Sequence, residues 1–203
     1  MNAELSRAAF LSRGAKGGAA FLVAGTAVSA LAPAAAAADP LSDNDLAIAR
    51  VLVAAELLGI DFYQQSIKAK KLDKEDTKRF AQILANEKEH YQSVAEILSG
   101  AGQVPATALD IDMTYPKGAF ASAASITKQA EAIETIMLGC YLGAVAGFQA
   151  VRIAAGLATI AASEAQHQVF FQTKLTGNPF ALAFPGPPLN FDEASKALDA
   201  YQT

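Results

Sequence analysis

The chain has only two histidines, and each follows a glutamate by three positions: Glu87-x-x-His90 and Glu164-x-x-His167. Glutamate makes up about one residue in twenty, so chance would give both histidines such a partner in roughly one sequence of four hundred. On a helix, positions i and i+3 share a face, so each pair can present a carboxylate oxygen and an imidazole nitrogen to one point. Two such pairs, with one carboxylate from each of two further helices, are a ligand set with which a helical bundle holds two transition-metal ions. Glu56 and Glu134 can supply those further carboxylates. Glu87 lies 31 positions after Glu56, and Glu164 lies 30 after Glu134. Tyr63 and Tyr141 each follow their glutamate by seven. This weak internal repeat suits a bundle with pseudo-twofold symmetry.

At about 100° per residue, all four glutamates fall within apolar stripes. Glu56 shares its face with Ala49, Leu52, Ile60 and Tyr63; Glu134 lies among Ala130, Met137, Leu138 and Tyr141. Glu87 lies among Phe80, Ile83 and Tyr91, and Glu164 among Leu157, Ile160 and Phe171. Unpaired carboxylates in a core are very costly or take up protons. Two divalent cations change that balance: they neutralise four carboxylates, and two imidazoles complete the set without adding charge. Affinity is then coupled to folding and to deprotonation. Oxygen-rich ligands with one imidazole per ion suit iron or manganese, with zinc as an alternative occupant. The competing reading is four salt-bridged glutamates and two hydrogen-bonded core histidines. The stripes hold no Lys or Arg to make those salt bridges. Glu89, Glu96 and Glu131 lie off the stripes and read as solvated.

Four long helices must position these residues. The first is expected from Ser42, an N-cap with Asp45 at the capping-box position, to about Lys70. The second runs from near Asp73 to Ser99-Gly100, with glycine as the stop signal. Residues 101–124 contain Gly102, Pro105, Pro116 and Gly118 and read as an extended crossover. The third helix is expected over residues 125–155, with Gly156 breaking it from a fourth that ends near Leu175. A tail from about residue 176 holds Pro179, Pro185, Pro187 and Pro188. A short last helix follows, capped by Asn190 with Glu193 three residues on. The fold class is all-α: a four-helix bundle with one long crossover between helices 2 and 3.

These residues carry a family resemblance. The chain resembles the ferritin-like superfamily of di-iron carboxylate proteins, and within it the exported bacterial ferritin-like domain proteins, over about residues 42–180. The resemblance rests on Glu56 with Phe62-Tyr63, on Glu87-x-x-His90, and on Glu134 with Tyr141-Leu142-Gly143-Ala144. It also rests on Glu164-x-x-His167 with Gly177-Asn178-Pro179-Phe180. It implies Glu56 and Glu134 as single-carboxylate ligands, Glu87 and Glu164 as shared carboxylates, and His90 and His167 as terminal ligands. Two divalent ions, iron first, and reaction with O2 or peroxide are the chemistry it suggests, with Tyr63 or Tyr141 close enough to tune the site or relay an electron. A non-catalytic metal binder and a stress or cell-envelope bundle protein use the same scaffold and stay open beside it.

Residues 1–38 read as an export signal: a basic leader (Arg7, Arg13, Lys16), an apolar stretch over residues 17–31 and small residues before Asp39. Ser6-Arg7-Ala8-Ala9-Phe10-Leu11 is similar to a twin-arginine motif with Ala8 in place of the second arginine, so twin-arginine and general secretory routes are both open. The 203-residue chain carries −4. Three basic residues and one acid leave with the leader, a net +2, so the domain beyond it carries −6. No basic block remains there, which excludes nucleic acid as an expected partner. Cys140 is the one cysteine; it cannot form an internal disulfide and reads as a small buried hydrophobe.

Helix 3 has a second apolar face of small residues, Gly139, Gly143, Gly147 and Ala150 with Ile136, interrupted as a membrane span by Glu134, Gln149 and Arg152. The back of helix 1 is also apolar, through Ala47, Val51, Ala54, Leu58 and Phe62. Each face needs cover from the crossover, from the tail with Phe180, Phe184 and Phe191, or from a second copy in a homodimer.

Overall fold

The computed structural model describes residues 40–178 and 186–202. The expected export leader lies outside these residues, as do Pro179, Phe180, Phe184 and Pro185 of the tail. Among the described residues the chain is all-helical apart from one isolated bridge between Met113 and Gln202. Four long helices, α1 (Asp43–Lys68), α2 (Lys74–Gly100), α3 (Ala123–Gly147) and α4 (Val151–Thr176), are followed by the short α5 (Phe191–Asp199).

The caps explain most boundaries. Ser42, Asp73, Ser122 and Asn190 each accept a backbone N–H from three residues on, satisfying a donor that the first helical turn leaves free. The Asn190–Glu193 pair forms a reciprocal capping box, as expected. Asp45 does not do so: its carboxylate turns inward, where it is buried and accepts the Gln149 N–H at 2.7 Å. Helix α2 runs on through Gly100, and the left-handed residue after it is Gly102. Gly177, at φ 72°, closes α4.

The expected break at Gly156 is wrong. Helix α3 ends at Gly147 and α4 begins at Val151, so Gly156 lies inside α4. The turn is set by tertiary contacts that helical periodicity does not register. Phe148 leaves the helix in an extended conformation and is buried, Asp45 holds the Gln149 N–H, and Asn44 donates to the Gly147 carbonyl at 3.1 Å. A glycine within a helix costs only about 1 kcal/mol against alanine, which packing readily offsets. Ala150 therefore stands in the turn rather than on α3. Of the three polar residues expected to interrupt the apolar run, only Glu134 remains within it.

Helices α1 and α2 form one hairpin and α3 and α4 the other, with α1 packed along α3 and with α5 against both. Residues 101–122 return the chain between the hairpins. The apolar back of α1 is covered from within the chain: Phe62 packs against Tyr115 and Phe120 of the crossover, with ring centroids at 5.7 and 5.6 Å.

The small-residue face of α3 is covered too. Leu189 lies across it and donates its N–H to the Gly139 carbonyl at 2.9 Å. A Cβ on Gly139 would come within 2.8 Å of the Leu189 side chain, and one on Gly143 would collide with the Leu189 backbone. The glycines are there so that the tail can lie flat on the helix. Helix α3 is the one described helix long and apolar enough to cross a membrane, with half of its most apolar stretch buried in the bundle. Packing against α1, α4 and α5 accounts for that composition.

Candidate metal centre

Each of the four stripe glutamates sits within about a residue of the midpoint of its helix. All four are fully buried at one height of the bundle, with His167 buried and His90 partly so. Six residues predicted from sequence therefore meet in one place: Glu56, Glu87, His90, Glu134, Glu164 and His167 form two overlapping groups. One contains Glu56, Glu87, His90 and Glu164, and the other Glu87, Glu134, Glu164 and His167. Within each group the donor atoms lie within 4.8 Å of one another. Glu87 and Glu164 belong to both.

The pseudo-twofold repeat is visible in the distances. His90 Nδ1 lies 3.4 Å from its own-helix partner Glu87, 2.9 Å from Glu164 and 3.9 Å from Glu56. His167 Nδ1 lies 3.4 Å from Glu164, 3.0 Å from Glu87 and 3.5 Å from Glu134. The rings face each other with centroids 6.1 Å apart.

Tyr63 and Tyr141 exchange partners across the bundle. The Tyr63 hydroxyl donates to Glu134 Oε1, and the Tyr141 hydroxyl donates to Glu56 Oε1. A tyrosine seven residues from its glutamate lies about 10.5 Å along the helix, at 1.5 Å per residue. The phenol crosses from α1 to α3, and the two helices run antiparallel, since Asn44 and Asp45 at the start of α1 hold the chain at the end of α3. One oxygen of each outer glutamate is thus held by a phenol, and the other, Oε2, points into the cluster.

Those inward atoms are where the protein leaves hydrogen bonding unmet. Glu56 Oε2, Glu87 Oε1, Glu134 Oε2, both oxygens of Glu164 and His167 Nδ1 are buried with no hydrogen-bond partner. They lie close together, but not in hydrogen-bonding geometry. Among the described residues no Lys or Arg forms an ion pair with any of the four glutamates; only the two histidines stand opposite them. Buried polar groups are normally satisfied. Orphaned oxygen and nitrogen donors converging on one point fit metal binding, and this donor set can supply the ligands.

Without metal, protons must balance the cluster. Burial pushes the Glu56 carboxyl well above the ordinary range, and Glu87 and Glu164 push it the same way. Burial likewise raises Glu134, against the pull of the neighbouring His167 ring, with Glu164 and Glu87 adding to the rise. Burial alone would lower the His90 ring, but the Glu164 and Glu87 carboxylates beside it outweigh that and hold its pKa at about 9. His167 is raised in the same way: burial opposes, and Glu134, Glu164 and Glu87 prevail. Burial would raise Glu164, but the His167 and His90 rings beside it bring it down to about 2. Positive imidazoles thus stand where cations would neutralise the carboxylates. Cys140, beside the cluster, has its thiol pushed up to about 12 by burial and by Glu164, which suits an unreactive core residue.

Sequence reasoning missed two participants. Asn86, one residue before Glu87, places its amide 3.0 Å from His167 Nε2. Gly59, one turn after Glu56, lets α1 approach so closely that a Cβ would come within 3.1 Å of Met137 and 3.4 Å of Glu87 Cγ. The signal for Gly59 was its place inside a long apolar helix; for Asn86, a polar residue on the edge of a core stripe. Both contacts cross between helices, which periodicity along one helix does not reveal.

No curated protein matches the chain. A family model described as the ferritin-like domain matches residues 44–177, a span that takes in α1 to α4 and all six site residues. The chain belongs to the ferritin-like domain family.

Proposed function

We propose that this protein is an exported di-metal carboxylate protein that binds two Fe(II) ions and reacts with O2 or peroxide. The observation that carries the reading is the set of orphaned inward donors in two groups sharing Glu87 and Glu164. In it Glu56 and His90 would serve one ion, Glu134 and His167 the other, and Glu87 and Glu164 both. Bound iron would supply one-electron redox chemistry toward dioxygen or peroxide. The chain's own residues do the rest. Tyr63 and Tyr141 fix the outer carboxylates with one oxygen each facing inward. The aromatic wall of Phe80, Phe171 and Tyr63, with centroids 5.4–6.3 Å apart, shields one side of the cluster from water.

Metal analysis of the purified protein, anaerobic Fe(II) loading and exposure to air test the proposal. Binding of two ions per chain with rapid oxidation is the expected result. Binding without oxidation would leave a metal store or a structural staple, and no binding would overturn the metal reading. Export is tested by N-terminal sequencing of protein recovered from outside the cytoplasm, with a start near Asp39 expected.

A further inference from the structure

The two halves of the site repeat each other in sequence and in distance, and one position breaks the repeat. Asn86 stands immediately before Glu87, and Ser163 immediately before Glu164. Asn86 reaches from α2 to α4, with its amide 3.0 Å from His167 Nε2. Ser163, at the matched position on α4, is too short to reach His90 in the same way. Among the described residues nothing hydrogen-bonds His90 Nε2. The His90 ring is also the more open of the two, with 12% of its side chain exposed against 5% for His167. Of the two donor groups, the one around His167 is wholly buried, while His90 is the half-buried member of its own.

Resting on the di-metal reading, we propose that Asn86 is a positioning residue for His167 and makes the two ion positions unequal. The Glu134–His167 position is the ordered, tighter one; the Glu56–His90 position exchanges its ion with solvent. The chemistry follows from the two ring nitrogens. Nδ1 of each histidine faces three carboxylates, so Nδ1 is the nitrogen that would meet an ion. The remaining ring proton is then on Nε2. A buried N–H needs an acceptor, and an amide can offer its oxygen. In the positively charged ring of the metal-free site Nε2 carries its proton as well, and the amide, whose nitrogen and oxygen exchange places by a turn, again offers its oxygen. Asn86 therefore serves His167 in both states and holds the ring plane throughout. His90 Nε2 has only solvent at the partly open edge, so its ring is free to tilt and to release its ion.

The test is a titration of Co(II) into the metal-free protein, followed by calorimetry and visible absorption. The parent should bind in two steps of unequal affinity. Asn86→Leu, similar in size but unable to hydrogen-bond, should weaken the tighter step by about 10–100-fold, as is usual when the partner of a metal-bound histidine is lost. The weaker step should stay within about twofold. Ser163→Asn supplies the missing partner and should tighten the weaker step. In the Zn(II)-loaded protein, nitrogen-resolved NMR should show a slowly exchanging His167 Nε2–H that Asn86→Leu abolishes, and a new one on His90 in Ser163→Asn. A general loss of stability would move neither signal selectively. Equal steps in the parent, or equal weakening of both steps by Asn86→Leu, would overturn the inference while leaving the di-metal reading intact. If Asn86→Leu does not fold, Ser163→Asn decides, and an unchanged weaker step overturns the proposal. Failure of the parent to bind metal at all would overturn the di-metal reading itself.

Discussion

On the proposed reading, binding two divalent ions must expel protons, and the arrangement of the site sets how many. At pH 7 the His90 ring, with its pKa at about 9, carries a proton that has to leave before Nδ1 can serve as a ligand. The His167 ring, raised in the same direction, loses a second. Glu56 and Glu134, pushed up by burial, add as many as two more. Glu164, held near 2, adds none. Between two and four protons should therefore be released per pair of ions. By linkage, the logarithm of the overall two-ion association constant rises by the same number for each pH unit, and each proton is worth about 1.4 kcal/mol per unit. Near pH 7 the gain is thus about 3–6 kcal/mol per pH unit, and it shrinks above about pH 9, where His90 is already neutral. Calorimetric titration of Mn(II) in buffers of different ionisation enthalpy counts the protons directly. A count below two, or an affinity flat between about pH 6 and 8, would refute the assignment of both Nδ1 atoms as donors.

The same shifts make the metal-free protein pH-sensitive in the opposite sense. The His90 contribution to stability is complete below about 6.5 and is lost as pH rises toward 9, so melting temperature should fall over that window and Mn(II) should restore it. His90→Ala or His167→Ala should weaken metal binding while leaving the helices intact; Glu87→Ala or Glu164→Ala should cost more, since each removes charge from both ion positions, and Mn(II) titration of the four variants ranks them. Tyr63→Phe or Tyr141→Phe strands a buried carboxylate oxygen and should lower unfolding stability by about 1–3 kcal/mol in urea. Gly143→Ala should destabilise by a similar amount, because the new methyl meets the Leu189 backbone rather than a flexible side chain. A neutral result in urea unfolding would mean that the tail does not lie on α3.

The convergence of the six residues was legible in the sequence because a helix converts spacing into direction. Glu-x-x-His at two places, and glutamates at matched offsets on apolar stripes, could point only inward, and inward on four helices means toward one axis. The caps at Ser42 and Asn190 were legible for a related reason: a short polar side chain before an apolar run bonds locally, within three residues. Everything that depends on how one helix lies against another had to wait for the fold. The α3–α4 break is at residues 148–150 because Asp45 and Asn44, about a hundred positions earlier in the chain, hold that turn. The tyrosines serve each other's glutamates because α1 packs along α3, and Asn86 serves the histidine of α4 rather than that of its own helix. Local periodicity determines which face a residue occupies, whereas the partner it meets on that face is decided by register between helices, which depends on the packing of the whole core.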